Sequence, residues 1–247
     1  MQFTEMGRDD GKTMVLLPGT ACTWQLNFGR VIDALAERYH LICVNYDGFE
    51  GDPSIVFSSV PEVCAQIEDY LVERHGGRVD GAYGSSLGGS FAALLVQHGR
   101  VHVDHAFIGS SDLDQGSPVV DHIITWIVGI MFSGAMKSEK RRQKLVDKLV
   151  KSLYAYGDSD GMRSFIDDFS RSFANMHPKT ISREFYSDYV TPLADGIHAD
   201  GTTIHVIHAL RMDPKGKYKA RYLRHFAEPD LMPFDMQHEE WLFGSAW

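Results

Sequence analysis

The chain has 247 residues, of which 44% are hydrophobic, and a formal net charge of −9. That length and composition suit one α/β unit with a sizeable core. The acidic balance argues against nucleic acid or anionic lipid as a partner, because a phosphate surface attracts a basic footprint.

The N-terminal residues MQFTEMGRDDGKT carry acids and no apolar run, so no secretory leader is expected. Met14 to Leu17 (MVLL) is the first predicted strand, stopped by Pro18-Gly19. Phe28 to Tyr39 places Val31, Ile32, Leu35 and Ala36 at helical spacing, and predicts a helix. His40 to Tyr46 (HLICVNY) is apolar and β-branched, which predicts a buried strand. Val60 to Arg74 is predicted to be a helix with Ser59 as its N-cap and Pro61 in its first turn. A strand follows at Val79 to Tyr83, a small-residue helix at Gly89 to His98 and a strand at His102 to Ile108. Two later strands are expected, at Thr203 to Ala209 and at Asp230 to Asp235, before a final helix.

Strands alternating with helices imply right-handed crossovers and a mostly parallel sheet covered on both faces. The interval from Ser111 to Asp200 differs: it holds an apolar helix at Ile123 to Phe132, a basic run at Lys137 to Lys151 and further amphipathic patterns. We therefore expect an α/β core from residues 1–110 and 203–247, with a helical cap inserted at 111–202. The longest uncharged apolar stretch, His122 to Met136, is short for a bilayer span. Cys22, Cys43 and Cys64 form neither a CxxC pair nor a disulfide framework, which suits a reducing, cytoplasmic setting.

The chemistry concentrates at GAYGSSLGGS, Gly81 to Ser90, between a predicted strand and a predicted helix. Gly84-Ser85-Ser86-Leu87-Gly88 fits G-x-S-x-G, and only Ser86 has glycine two residues away on both sides. A strand-to-helix elbow strains its central residue, needs glycine where backbones crowd, and exposes Oγ at a helix N-terminus. With this motif, Leu17-Pro18-Gly19-Thr20 and the C-terminal Met236-Gln237-His238-Glu239-Glu240-Trp241, the chain resembles the α/β-hydrolase superfamily. The resemblance spans nearly the whole chain and implies the α/β-hydrolase fold with a helical cap.

It also implies roles. Ser86 is the expected nucleophile and His238 the expected base. Asp213 is the expected acid, from its place after the strand ending at Ala209, while Asp112 in IGSSDLDQ is the rival and Asp114 a lesser one. The backbone N–H groups of Leu87 and of Thr20 or Ala21 are expected to hold an oxyanion. Ser85 and Ala21 are expected beside the substrate. Trp126 and Met131 would supply an apolar wall for an acyl or aromatic group, although ordinary packing explains them equally well. Asn45 to Gly51 stands where relatives carry an Asp-x-x-Gly-x-Gly turn and is read as structural. Cys22 reads as a small buried thiol, and the basic run as a solvated helix face.

No HExxH or Cys/His cluster appears, and His205 and His208, three apart on a strand, face opposite sides. We therefore expect no metal and no cofactor. The expected activity is hydrolysis of a small ester or thioester by an acyl-enzyme. A C–C hydrolase or acyltransferase using the same triad, or a non-catalytic binding protein for an apolar ligand, stays open. The sequence offers no reading of oligomeric state.

Overall fold

The computed structural model describes residues 1–49, 52, 54–113, 138–153, 159–172 and 176–243. All six predicted strands are present: β2 (Lys12–Leu17), β3 (Tyr39–Asn45), β4 (Arg78–Ser85), β5 (His102–Gly109), β6 (Thr203–Ala209) and β7 (Asp230–Phe234). A seventh, β1 (Gln2–Gly7), precedes them. The helices are α1 (Trp24–Phe28), α2 (Ile32–Ala36), α3 (Val60–His75), α4 (Leu87–His98), α5 (Glu139–Leu153), α6 (Ser159–Ser172), α7 (Pro178–Val190), α8 (Lys217–His225) and α9 (Glu240–Phe243).

The strands form one sheet in the order β1-β3-β2-β4-β5-β6-β7. Every pairing is parallel except that of β1 with β3. Strand alternation sends side chains to both faces. Val15, Leu17, Ile42 and Val44 pack with Val63 and Ile67 of α3 and with Phe91 and Leu95 of α4. Leu16, Leu41 and Cys43 point the other way and meet Phe28, Ile32 and Leu242. The near-continuous apolar strands seen in the sequence are thus those of a sheet buried on both sides. This is an α/β-hydrolase fold, as expected.

Local chemistry sets the element ends. Ser59 Oγ accepts from Glu62 N–H at 3.3 Å, and Gly76 closes α3 with φ 63°. The helix predicted at Phe28 to Tyr39 is instead two short ones. Thr23 caps α1, and Gly29 ends it where a β-carbon would lie 2.2 Å from Gln25 O. β1 was missed because its apolar residues, Phe3 and Met6, pack on opposite faces and leave no amphipathic alternation.

Three described helices, α5 to α7, occupy the interval between β5 and β6. The basic run is more than a solvated face. Arg142 is buried and donates to Glu139 at the start of α5 and to Asp167 and Ser170 of α6, fastening the two helices together. The predicted helix at Ile123 to Phe132, with Trp126 and Met131, lies outside the described residues, as do Glu50, Gly51 and Asp114. Gly48, in the turn after β3, has φ 89° and sits against Thr180 of α7, so the described part of that turn packs rather than reacts. Among the described residues, no helix is long and apolar enough to cross a membrane.

Candidate active site

Ser86 stands between β4 and α4 with φ 53° and ψ −116°, a conformation that a residue with a β-carbon adopts only under strain. Backbone bonds hold it there: its N–H donates to Gly109 O at 2.7 Å, and its carbonyl accepts from Gly89 N–H at 2.8 Å. The flanking glycines are required by contact. A β-carbon at Gly84 would lie 1.9 Å from Gly88 O, and one at Gly88 would lie 2.0 Å from Leu17 O.

The Pro18–Cys22 loop runs over this elbow. Gly19 N–H donates to Asn27 Oδ1 at 2.6 Å, and Asn27 Nδ2 donates to Ser85 Oγ at 3.2 Å, so one buried amide joins loop to elbow. Tyr46 Oη donates to Pro18 O at 3.0 Å. Ala21 N–H is committed to Glu184 Oε2 of α7 at 2.9 Å. Burial, reinforced by Asp188, pushes the Glu184 carboxyl well above its ordinary pKa. Protonation of Glu184 is thereby favoured. Of the two expected loop donors, Thr20 N–H is the one not committed to a carboxyl.

A cavity of about 330 Å³ opens beside the elbow. Thr20, Asn27, Ser85, Ser86, Ser110, Asp112, Asp188 and His238 supply its polar lining, and Phe165, Phe169, Phe185 and Tyr189 from α6 and α7 supply an apolar wall. Cys22 also lines it, but burial raises its thiol pKa well up, so it remains a protonated thiol.

His238 is half-buried at the edge of the cavity, with its Nδ1 shut off from solvent. Burial lowers its pKa to about 4, against a smaller opposing effect of a hydrogen bond to the Ser110 backbone. The ring is therefore neutral at pH 7, and its Nδ1 has no hydrogen-bond partner among the described residues. The neighbouring Glu239 is completely buried. Tyr83 Oη and Trp241 Nε1 donate to its Oε2 at 2.6 and 2.7 Å, and its Oε1 packs against Gly109, where a β-carbon would be only 2.4 Å away. Burial raises the Glu239 carboxyl to about 7, outweighing these donors.

A carboxyl whose folded pKa is raised contributes full stability below its ordinary pKa, and that contribution is lost as pH rises through the folded value. Wild type is therefore expected to lose about 2 kcal/mol relative to Glu239→Gln between pH 5 and pH 8. Urea unfolding of both proteins across that range measures it. Parallel curves would detach the pH dependence from Glu239.

The sequence model of the Alpha/beta hydrolase family matches residues 14–241. The chain is an alpha/beta hydrolase. No curated protein sequence matches it significantly. Among solved structures it is similar to an alpha/beta hydrolase family protein from Desulfitobacterium hafniense, with a TM-score of 0.78 and 19% identity over 98% of this chain and 94% of that one. A thermophilic esterase from Thermogutta terrifontis superposes with a TM-score of 0.71 and 11% identity, over 98% and 87%. The enol-lactonase from Burkholderia xenovorans LB400 does so with 0.66 and 13%, over 97% and 89%.

In this hydrolase the structure brings Ser86, His238, Asp112, Thr20 and Ser85 to one cavity, with Leu87 opening α4 beside them. Ser86 and His238 have no direct hydrogen bond between them, a looseness common before substrate closes a site. Ala21 is buried behind the loop and does not line the cavity. Asp213 is not joined to His238. Its Oδ2 lies 3.0 Å from His208 Nε2 and accepts from Lys219 N–H at 2.9 Å. Burial alone would raise this carboxyl, but the N–H groups opening α8, together with His208, hold it below its ordinary value.

Sequence reasoning missed Asn27, Glu184 and Glu239. Asn27 left a faint signal, as an amide between apolar Leu26 and Phe28 just after the loop. The other two left none, since acids on helical segments are ordinarily solvated.

Proposed function

We propose that this alpha/beta hydrolase cleaves a small ester or thioester through an acyl-enzyme on Ser86. The observation that carries this reading is that a strained elbow serine and a half-buried, neutral histidine line one largely apolar cavity. Ser86 Oγ attacks the carbonyl carbon while His238 takes its proton. The tetrahedral oxyanion is held by the N–H groups of Leu87 and Thr20. His238 then returns the proton to the departing alcohol or thiol. A water, deprotonated by His238, releases the acid and restores Ser86.

Phe165, Phe169 and Phe185 favour an acyl or aromatic group in the cavity, and the helices between β5 and β6 act as its cap. Asp112 and Asp188 both line this cavity and Asp213 does not; Asp112, which closely follows β5, is the carboxylate we assign to His238. The esterase and the lactonase among the similar structures agree with acyl chemistry. The three free, buried cysteines support a cytoplasmic setting.

A fluorophosphonate probe tests the covalent step. The wild-type chain is expected to carry the label on Ser86, located by mass spectrometry, and Ser86→Ala to carry none. Binding of an apolar ligand with no labelling and no turnover over a broad ester panel would make the protein a non-catalytic binder. The pH profile provides a second check. Because the base stays neutral down to about pH 4, kcat/KM is expected to fall at acid pH with an apparent pKa near 4 rather than near 6.5. An acid limb centred near 6.5 would instead mean that a carboxylate pairs with His238 during turnover and raises its pKa.

A further inference from the structure

We propose that Glu5, His40 and His75 form a binding site for a divalent transition metal, with Zn²⁺ as its ion. The three ligands come from three elements: Glu5 from β1, His40 from β3 and His75 from the last position of α3. The antiparallel register pairs Glu5 with Ile42 and Gly7 with His40, so Glu5 and His40 are diagonal neighbours on one face of the sheet. α3 lies against that face. Phe3, two residues before Glu5 and hence on its side of the strand, stacks on Tyr70 with ring centroids 3.8 Å apart. This stack places the end of α3, and His75 with it, over the two strands.

One donor atom from each residue lies within 4.8 Å of the other two. His40 Nε2 is 3.0 Å from Glu5 Oε2, and His75 Nε2 is 3.1 Å from Glu5 Oε1. Ligands bonded to a tetrahedral zinc lie about 3.4 Å from one another, so small rotations suffice to admit the ion. Two imidazoles and one carboxylate are a borderline donor set that suits zinc, whereas calcium and magnesium require oxygen. The ligand side chains are partly exposed, at 17% for His40, 16% for His75 and 30% for Glu5. An ion can therefore enter, and water can complete its coordination. Tyr70 Oη already donates to Glu5 and fixes the carboxylate in place.

A second cluster, Cys64, Glu68 and His98, is the weaker candidate, because the Arg100 guanidinium lies 3.8 Å from the Glu68 carboxylate and competes for it. The Glu5 cluster also has structural leverage. β1 has one neighbour in the sheet, β3, and an ion there would tie that edge strand to both β3 and α3.

The test is calorimetric titration of the chelator-treated full chain with Zn²⁺, together with Co²⁺ absorption and thermal melting. Wild type is expected to bind one equivalent at this site, to develop a tetrahedral Co²⁺ spectrum and to melt at a higher temperature with zinc present. Glu5→Gln and His75→Gln are each expected to weaken that binding at least about tenfold. His205→Gln, which breaks the separate His105–His205 contact, is expected to leave it unchanged. Should Glu5→Gln unfold by circular dichroism, the partly exposed His75→Gln decides. Absence of stoichiometric binding by wild type, or undiminished binding by His75→Gln, overturns the proposal.

Discussion

Ser86→Ala is expected to lower kcat on an ester substrate by about 10⁶-fold while the chain stays folded. The magnitude follows from losing the atom that forms the covalent bond, with only binding and the oxyanion donors left to act. The folded state should survive because the elbow is held by backbone bonds, from Ser86 N–H to Gly109 O and from Gly89 N–H to Ser86 O. Alanine at φ 53° carries the same strain as serine. Glycine does not, so Ser86→Gly is expected to be equally inactive yet more stable than wild type by about 1 kcal/mol. Steady-state kinetics and thermal melts on the two variants read both effects. Residual kcat above about a hundredth of wild type in Ser86→Ala would place the nucleophile elsewhere.

Asp112→Asn is expected to reduce kcat by about 10⁴-fold, the effect of losing the carboxylate that holds a catalytic imidazole in its working tautomer. His238 Nδ1 is buried and has no partner among the described residues, and such a group costs about 1–3 kcal/mol until one arrives. Asp112 reaches the same cavity from the end of β5. Asp213→Asn should behave differently. Its carboxylate closes the turn into α8 and pairs with His208, so the variant is expected to lose about 1–2 kcal/mol of stability and to keep kcat within several-fold. Measuring kcat and urea stability on both variants separates them. A kcat collapse in a stable Asp213→Asn would return the role to Asp213.

The parts legible in the sequence were those fixed by local constraint. Gly84 and Gly88 stand two residues to either side of Ser86 because backbone atoms would otherwise overlap, and that requirement is written in the spacing. Six strands were legible because a sheet buried on both faces demands continuous apolar runs. The remainder depended on where distant segments meet. β1 pairs with β3 rather than with the adjacent β2, so no turn chemistry announced it. Gly29 breaks a helical pattern that periodicity alone would continue. The partner of Asp213 is His208, five residues earlier, through a turn whose closure no motif encodes. The Glu5, His40 and His75 ligand atoms share one patch although 35 residues separate each consecutive pair in sequence, well beyond any spacing rule for metal ligands.

Glu184 joins two properties that an engineer would wish to vary separately. It lies on α7 beside Phe185, which shapes the cavity wall, and its carboxyl anchors Ala21 next to the Thr20 amide. Exchanging the wall for that of a relative, to admit a different acyl group, would also exchange the anchor of the loop. On the proposed mechanism, selectivity and turnover are therefore inherited together, and a graft of α7 that omits an acceptor at position 184 would change the cavity wall and also remove the anchor of the loop beside it.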